Sequence, residues 1–128
     1  ILDAVPHCFV TGNPDNRLPN TTNIAFEFVE GEAILMLLNK QGIAASSGSA
    51  CTSGSLEPSH VMRAMDIPFT AAHGSVRLSL SRYNCMGEIE RVIEAIPPIM
   101  AQLRKLSPYW QDDGPVEEPE KAFAPMYA

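Results

Sequence analysis

The alternation of hydrophobic and polar residues predicts two half-buried β-strands. The first spans Asn23–Val29 and carries three apolar side chains on one face, namely Ile24, Phe26 and Phe28. The second spans Ser75–Ser81 and directs Val76, Leu78 and Leu80 to the core. Because successive side chains of a strand point to opposite faces, Arg77 falls on the polar face of the second strand. Short apolar runs at 7–10 and 43–45 predict two further strand segments.

Helix-forming segments lie between these strands. Glu32–Gln41 consists of strong helix formers, and its consecutive apolar residues 34–38 predict a largely buried helix that ends before Gly42. Ser59–Asp66 has the pattern of a short helix with Ser59 as its N-cap. Strands and helices therefore alternate along the chain, which indicates an α/β fold in which a small sheet packs with helices.

The longest helical pattern spans Met86–Leu106, where apolar residues recur at helical spacing. We expect Asn84 to cap its N-terminus. Pro97 and Pro98 fall inside the pattern, and a proline removes a helical hydrogen bond and clashes with the preceding turn. The sequence therefore predicts a kink or two helices that meet at these prolines.

The C-terminal segment differs in composition. Residues 111–128 contain five acidic residues, one lysine and three prolines, so we expect a folded domain over 1–110 and a disordered acidic tail over 111–128. Tyr109 and Trp110 precede this tail. They predict a docking element for a partner protein from Leu106 onward, since exposed aromatic residues are typical interface anchors. In the alternative interpretation both aromatic residues pack back onto the domain.

Composition excludes several classes of protein. With 128 residues and a net charge of −6, the chain suits one acidic globular domain and not a nucleic-acid-binding one. The longest apolar run, Ala33–Leu38, is far shorter than a membrane span. Three cysteines without metal-ligand spacing favour the reducing cytoplasm. Because the chain begins at Ile1 and soon enters an apolar run, we expect it to be part of a longer protein.

Cys51 is the strongest candidate for chemistry. It lies among serine, glycine, threonine and alanine residues between the run at 43–45 and the helix at Ser59, which predicts an exposed thiol on a mobile segment. The alternative is a flexible connector with an incidental cysteine. Cys8 and Cys85 are interpreted as structural, and no catalytic role is assigned to the histidines, which are His7, His60 and His73.

These residues match a known family. The run Ser46–Gly54, which contains Cys51, is followed by Leu56–Ser59 and later by Ser75–Arg82. Together with Leu18–Asn23, Val29–Glu32 and Leu106–Trp110, these segments resemble the C-terminal portion of NifS/IscS-type cysteine desulfurases. The resemblance extends over roughly residues 5 to 110. It implies the small C-terminal domain of a fold-type I pyridoxal-phosphate enzyme.

The resemblance also implies residue roles. Cys51 would be the catalytic nucleophile that takes sulfur from L-cysteine as a persulfide, with release of L-alanine. Arg77 would bind the substrate carboxylate, and a guanidinium suits this role because its paired donors match a carboxylate. By pattern alone, an exposed salt bridge is an equal alternative for Arg77. The Cys51 persulfide would also act as a transient ligand during iron–sulfur cluster transfer.

The chain departs from the family in its lysines. The cofactor forms a Schiff base with a lysine, and Lys40, Lys105 and Lys121 all lie in unsuitable positions. We therefore expect pyridoxal phosphate in the full-length enzyme and none on this chain, which alone would be inactive. The resemblance further implies a homodimer that passes sulfur to an iron–sulfur scaffold protein, for general cluster or nitrogenase cofactor assembly.

Two other functions remain open. A non-enzymatic sulfur-relay or protein-docking module would present Cys51 and the tail to partners, and the unsuitable lysines favour it for the isolated chain. Arg77 favours the enzyme, because a relay has no use for a carboxylate-binding group. A metal-binding domain built from Cys8, Cys51, Cys85 and the histidines is the weakest reading, since their spacing does not suit a metal.

Overall fold

A computed structural model of the chain describes residues 1–47, 59–112 and 114–116. Its main sheet has four antiparallel strands: β1 (Cys8–Val10), β2 (Thr21–Phe26), β3 (Ser46–Ser47) and β4 (Ser75–Ser79). Their order across the sheet is β1-β2-β4-β3. The helices are α1 (Gly31–Lys40), α2 (His60–Ala64), α3 (Phe69–Ala72) and α4 (Met86–Leu106). A separate hairpin consists of β5 (Trp110–Gln111) and β6 (Gly114–Pro115). This arrangement confirms the predicted α/β class with a small sheet.

The core lies between one face of the sheet and the helices α1 and α4. It contains side chains that are almost fully buried: Ile24, Phe26, Ile34, Leu38, Val76, Ile96 and Met100. A smaller apolar cluster on the other face joins Ala25 of β2 to Met62 of α2 and to Ala71 and Ala72 of α3. In the described part of the chain, no helix is long and apolar enough to cross a membrane.

The predicted strand at 43–45 is wrong, because Ile43 closes the end of α1 and residues 44–45 join it to the edge strand. Gly42 adopts a left-handed backbone with φ of 73°. Its N–H donates to Asn39 O, and the N–H of Ile43 donates to Leu38 O. These two bonds form a Schellman motif, which satisfies carbonyls at the end of the helix. The edge strand β3 therefore begins only at Ser46.

Strand β2 ends earlier than its predicted limit at Val29. The chain turns after Phe26, and Phe28 adopts a left-handed backbone with φ of 66°. The N–H of Phe28 then donates to Thr70 O, so this turn is tied to α3 instead of to a neighbouring strand. Helix α3 itself has no prediction in the sequence, because four residues are too short to show a helical period.

Helix α1 is less buried than its composition predicts. Ile34 and Leu38 are fully buried, but Met36 is 65% exposed. The reason is geometric: residues i and i+4 share a helix face, whereas residue i+2 points away from it. Leu35 and Leu37 pack partly buried against the core, so Met36 is the residue of the apolar run that turns to solvent.

Helix α4 is continuous from Met86 to Leu106, so the predicted division at Pro97 and Pro98 into two helices is absent. These prolines remove bonds to the carbonyls of Ile93 and Glu94. Both of those residues are exposed, so water can satisfy the freed carbonyls.

The N-cap of α4 is Cys85 and not Asn84. The carboxylate of Glu88 accepts from the Cys85 N–H at 3.0 Å and from Asn84 Nδ2 at 2.9 Å. Both hydrogen bonds lower the pKa of Glu88, and the bond from Asn84 has the larger effect. Asn84 thus supports the capping carboxylate and does not cap the helix itself.

Trp110 packs onto the domain, as the alternative interpretation of the aromatic pair predicts. Its ring lies 5.4 Å from that of His7 and 5.9 Å from that of Phe28, while the Arg104 guanidinium lies 4.5 Å from its centre. Gln111 pairs with Gly114 in the hairpin, although the sequence predicts a disordered tail from 111. The remainder of that predicted tail, 117–128, lies outside the described residues.

Two substitutions on α1 test its corrected orientation. Replacing Leu38 with alanine should destabilise the chain by about 2–5 kcal/mol, because it leaves a cavity in the core. The same replacement at the exposed Met36 should change the free energy of unfolding by less than about 0.5 kcal/mol. Urea unfolding of both variants measures the difference. Equal effects would show that the whole apolar run is buried.

Replacing Trp110 with alanine tests the packing of the C-terminal hairpin. We expect a loss of about 1–3 kcal/mol of stability, because the ring covers apolar surface and the Arg104 cation. Tyr83→Ala is the matched control, since this aromatic side chain is 77% exposed and contacts the neighbouring Arg82. Unfolding midpoints that are equal for the two variants would contradict the packed position of Trp110.

Candidate functional site

Arg77 lies in the middle of the polar face of the sheet, where the alternation of β4 predicts it. Its partner on β2 is Asn23, and its partner on β3 is Ser46. Directly paired residues of antiparallel strands point to the same face, so Arg77 projects between an amide and a hydroxyl side chain. The Arg77 side chain is exposed, while the preceding Val76 is 1% exposed on the core face.

Gly74 allows β4 to begin at this position. A Cβ atom at Gly74 would lie 1.9 Å from the carbonyl oxygen of Phe26, which is far inside contact distance. The close approach lets the N–H of Phe26 donate to Gly74 O at 3.1 Å. It therefore aligns the end of β2 with the start of β4, and the five following pairs set Arg77 opposite Asn23.

The segment that contains Cys51 lies outside the described residues, but both of its neighbours border the Arg77 face. Before it, Ser46 of β3 pairs directly with Arg77. After it, the hydroxyl of Ser59 accepts from the Val61 N–H and caps α2, which confirms the predicted cap. Met62 of that helix is buried against Ala25 on the same face as Arg77. The Cys51 segment therefore starts from β3 and leads into α2, and both of these elements lie beside the candidate site.

Among the described residues, the cross-strand neighbours of Arg77 carry no charge. Beyond Asn23 and Ser46, the next pair on this face is Thr21 with Ser79, whose hydroxyls lie 3.2 Å apart. Within 1–47, 59–112 and 114–116, Arg77 forms no ion pair. The alternative of a surface salt bridge therefore has no support in this part of the chain.

Cys8 and Cys85 lie elsewhere. Cys8 pairs with Phe26 on the core face, and its thiol donates to Val5 O at 3.0 Å. Partial burial raises the pKa of Cys8, with the nearby Arg104 acting in the opposite direction. A raised pKa disfavours the reactive thiolate, in agreement with the structural role expected for this residue. Cys85 is exposed at the start of α4.

The described histidines are also separate from Arg77. His7 lies beside Glu27, with 3.5 Å between Nδ1 and Oε2. His73 packs its ring 4.4 Å from that of Phe69, and burial lowers the pKa of His73. Among the described residues, no three potential ligands from histidine, cysteine, aspartate and glutamate lie together as a metal site.

The two described lysines do not fit a pyridoxal-phosphate site. Lys40 and Lys105 are exposed on α1 and α4, which pack on the core face of the sheet, across from Arg77. Lys121 lies outside the described residues. A Schiff-base lysine needs a sheltered position near the substrate, and neither described lysine has one.

An apolar groove of about 390 Å³ lies beside the turn after β2, and the sequence gives no signal of it. Its walls come from the turn after β2, from α1, from α3 and from the end of α4, including Phe28, Ala33, His73, Leu103 and Pro108. These segments are far apart in the chain, so only the tertiary structure brings them together. For the same reason, the sequence does not show that Asn23 and Ser46 lie beside Arg77. The alternation of β2 does place Asn23 on the face opposite its apolar side chains.

Comparison with known proteins gives a consistent result. A family model described as aminotransferase class-V matches residues 1–92. The chain is 77% identical over 127 residues to "Cysteine desulfurase NifS" of Azotobacter vinelandii, covering 99% of this chain and 32% of the relative. It is 59% identical over its whole length to a "Cysteine desulfurase" of Gluconacetobacter diazotrophicus, of which it covers 31%. The chain thus spans about a third of the length of the curated relatives it matches.

Two solved structures share the fold. The NifS-like protein from Rickettsia africae superimposes with a TM-score of 0.65 at 33% identity, over 78% of this chain and 25% of that one. Another NifS-like protein gives a TM-score of 0.62 at 27% identity, over 75% and 23% of the two chains. These similarities confirm the predicted resemblance to NifS-type enzymes and their α/β small-domain fold. With its family model matching nearly three quarters of its residues, the chain belongs to the aminotransferase class-V family.

Proposed function

We propose that this chain acts as part of a cysteine desulfurase, in which it supplies the nucleophile Cys51 and the substrate-binding Arg77. One observation carries the proposal. The pairing of Ser46 with Arg77 joins the base of the Cys51 segment to the strand that presents the guanidinium. The relatives named as cysteine desulfurases support the choice of reaction.

Chain length limits the distance between these two residues. Cys51 follows Ser47 by four residues. Four residues span at most about 14 Å when fully extended. Ser47 is paired with Val76, the neighbour of Arg77 in β4. A thiol on this segment therefore stays within reach of a small substrate bound at Arg77.

The environment of Arg77 suits a carboxylate ligand. Its neighbours on the sheet are neutral, so the guanidinium charge is not already compensated by an acidic side chain among the described residues. A guanidinium and a carboxylate form two parallel hydrogen bonds, which fix orientation as well as affinity. L-Cysteine carries such a carboxylate, which Arg77 would bind.

In the proposed reaction the Cys51 thiolate attacks the sulfur of L-cysteine. A sulfur–sulfur bond forms while the substrate's carbon–sulfur bond breaks, and the carbon takes up a proton to give L-alanine. The sulfur remains on Cys51 as a persulfide. The family implies pyridoxal phosphate for this reaction, and the described lysines do not fit it. We therefore assign the cofactor to the remainder of a longer enzyme, and expect the isolated chain to be inactive.

The sulfur acceptor and the oligomeric state belong to the same proposal. A persulfide that passes to an iron–sulfur scaffold, a cytoplasmic homodimer and a role in nitrogenase cofactor assembly all follow from the resemblance to NifS-type enzymes. Transient iron ligation by the Cys51 persulfide is part of this proposal too. The second candidate function is a sulfur relay, which the positions of Lys40 and Lys105 favour and which leaves Arg77 without a role.

A chimera tests the proposed function directly. This chain would replace the matching third of the Azotobacter vinelandii relative, to which it is 77% identical. We expect the chimera to form alanine from L-cysteine, and Cys51→Ser to abolish this activity without unfolding the protein. Cys85→Ser is the control, since this exposed thiol lies at the start of α4. An active Cys51→Ser chimera would refute the assignment of the nucleophile.

The role of Arg77 is tested in the same chimera. Arg77→Ala should raise KM for L-cysteine by about ten- to a hundredfold, because a charge-assisted contact is lost. Arg82→Ala is the matched control, since this exposed arginine contacts Tyr83 beyond the end of β4. Steady-state kinetics measures both variants. A KM that Arg77→Ala leaves unchanged would remove Arg77 from substrate binding.

A further inference from the structure

We propose that Asn23 is a positioning residue for Arg77, holding the guanidinium so that its remaining N–H groups bind the substrate carboxylate. The inference rests on the proposed function of Arg77. Asn23 is the direct cross-strand partner of Arg77 on the polar face of the sheet. Paired residues in antiparallel strands place their Cβ atoms about 4.5–5.5 Å apart, which is well within the reach of an arginine side chain.

The carboxamide of Asn23 is held in one orientation. Its Nδ2 donates to the Thr11 hydroxyl at 2.9 Å and lies 3.9 Å from the sulfur of Met62. A thioether sulfur can only accept a hydrogen bond, so the nitrogen and not the oxygen faces these two groups. The main chain supports this geometry, because the Thr11 N–H donates to Asn23 O at 2.9 Å.

This orientation leaves the side-chain oxygen available for Arg77. Thr11 follows β1, which borders β2 on the side away from β4. Because the two carboxamide atoms diverge from one carbon, turning Nδ2 toward Thr11 turns Oδ1 away from β1. Among the described residues, Arg77 included, no donor bonds Asn23 Oδ1, so this acceptor is open to the guanidinium when the Arg77 side chain turns toward β2. It is therefore the acceptor best placed to receive an N–H of Arg77.

A neutral acceptor has a specific advantage at this position. An aspartate or glutamate would also orient the guanidinium, but it would compensate the charge and compete with the substrate carboxylate for the same donors. An amide oxygen accepts one hydrogen bond and leaves the positive charge intact. Ser46, the partner of Arg77 on β3, is neutral as well. A hydrogen bond to Asn23 or Ser46 would restrict the Arg77 side chain without compensating its charge.

The test compares three variants in the chimeric enzyme. Asn23→Ala should raise KM for L-cysteine by about two- to tenfold with little change in kcat, because the lost hydrogen bond is neutral. Asn23→Asp should raise KM further, because the new carboxylate pairs with Arg77. Thr21→Val, one pair along the same face, is the matched control and should leave KM unchanged.

The order of the two Asn23 variants separates positioning from a structural role. Both variants lose the Nδ2 bond to Thr11, but only aspartate adds a carboxylate beside Arg77, so an Asn23→Asp variant whose KM is no higher than that of Asn23→Ala would overturn the inference. In an Arg77→Ala background both Asn23 variants should have no further effect on KM, whereas additive effects would again overturn it. If Arg77→Ala alone leaves KM unchanged, the proposed function of Arg77 fails first, and the two failures are distinguishable.

Discussion

The antiparallel pairing of β2 with β4 is the constraint on which the candidate site depends. It places Asn23, Arg77 and Ser46 in one row across the sheet, and it places Ile24 with Val76 in the core. Side chains alternate between faces, so a shift of one residue would turn Arg77 into the core and Val76 to solvent. Burial of Val76 therefore stabilises the register that exposes Arg77. Gly74 contributes by letting the two strands approach at their junction.

A buried cation connects the C-terminal part of the chain to this sheet. Arg104 of α4 is 4% exposed, and it donates to the carbonyls of His7 at 3.1 Å and Glu27 at 3.4 Å. The ring of Trp110 covers the same guanidinium. Burial lowers the pKa of Arg104, while Cys8 and Glu27 act in the opposite direction. A desolvated charge is costly unless it is well bonded, so these contacts also restrain α4 and the hairpin after it.

The sequence predicts best those features that depend on local period and composition. β1, β2, β4 and α1, α2 and α4 all coincide with predicted segments, with shifts of one to three residues at most ends. Most of the errors arise where contacts between residues that are not adjacent in the sequence change the local structure of the chain. Phe28 lies in a turn bonded to Thr70 of α3, and Trp110 packs in the ring cluster around Arg104 with His7 and Phe28, whereas Ile43 bonds the end of its own preceding helix. None of these partners is adjacent in the chain.

The same distinction applies to the candidate site and to the chain as a whole. Alternation and motifs are properties of contiguous residues, so the sequence alone predicts the α/β class, the exposed position of Arg77 and the family resemblance. The positions of Asn23 and Ser46 beside Arg77, and of Cys8 on the core face, depend on how the strands pair in the folded chain. Strand register joins residues that lie about 30 to 55 positions apart, and it depends on core packing and on one close backbone approach at Gly74.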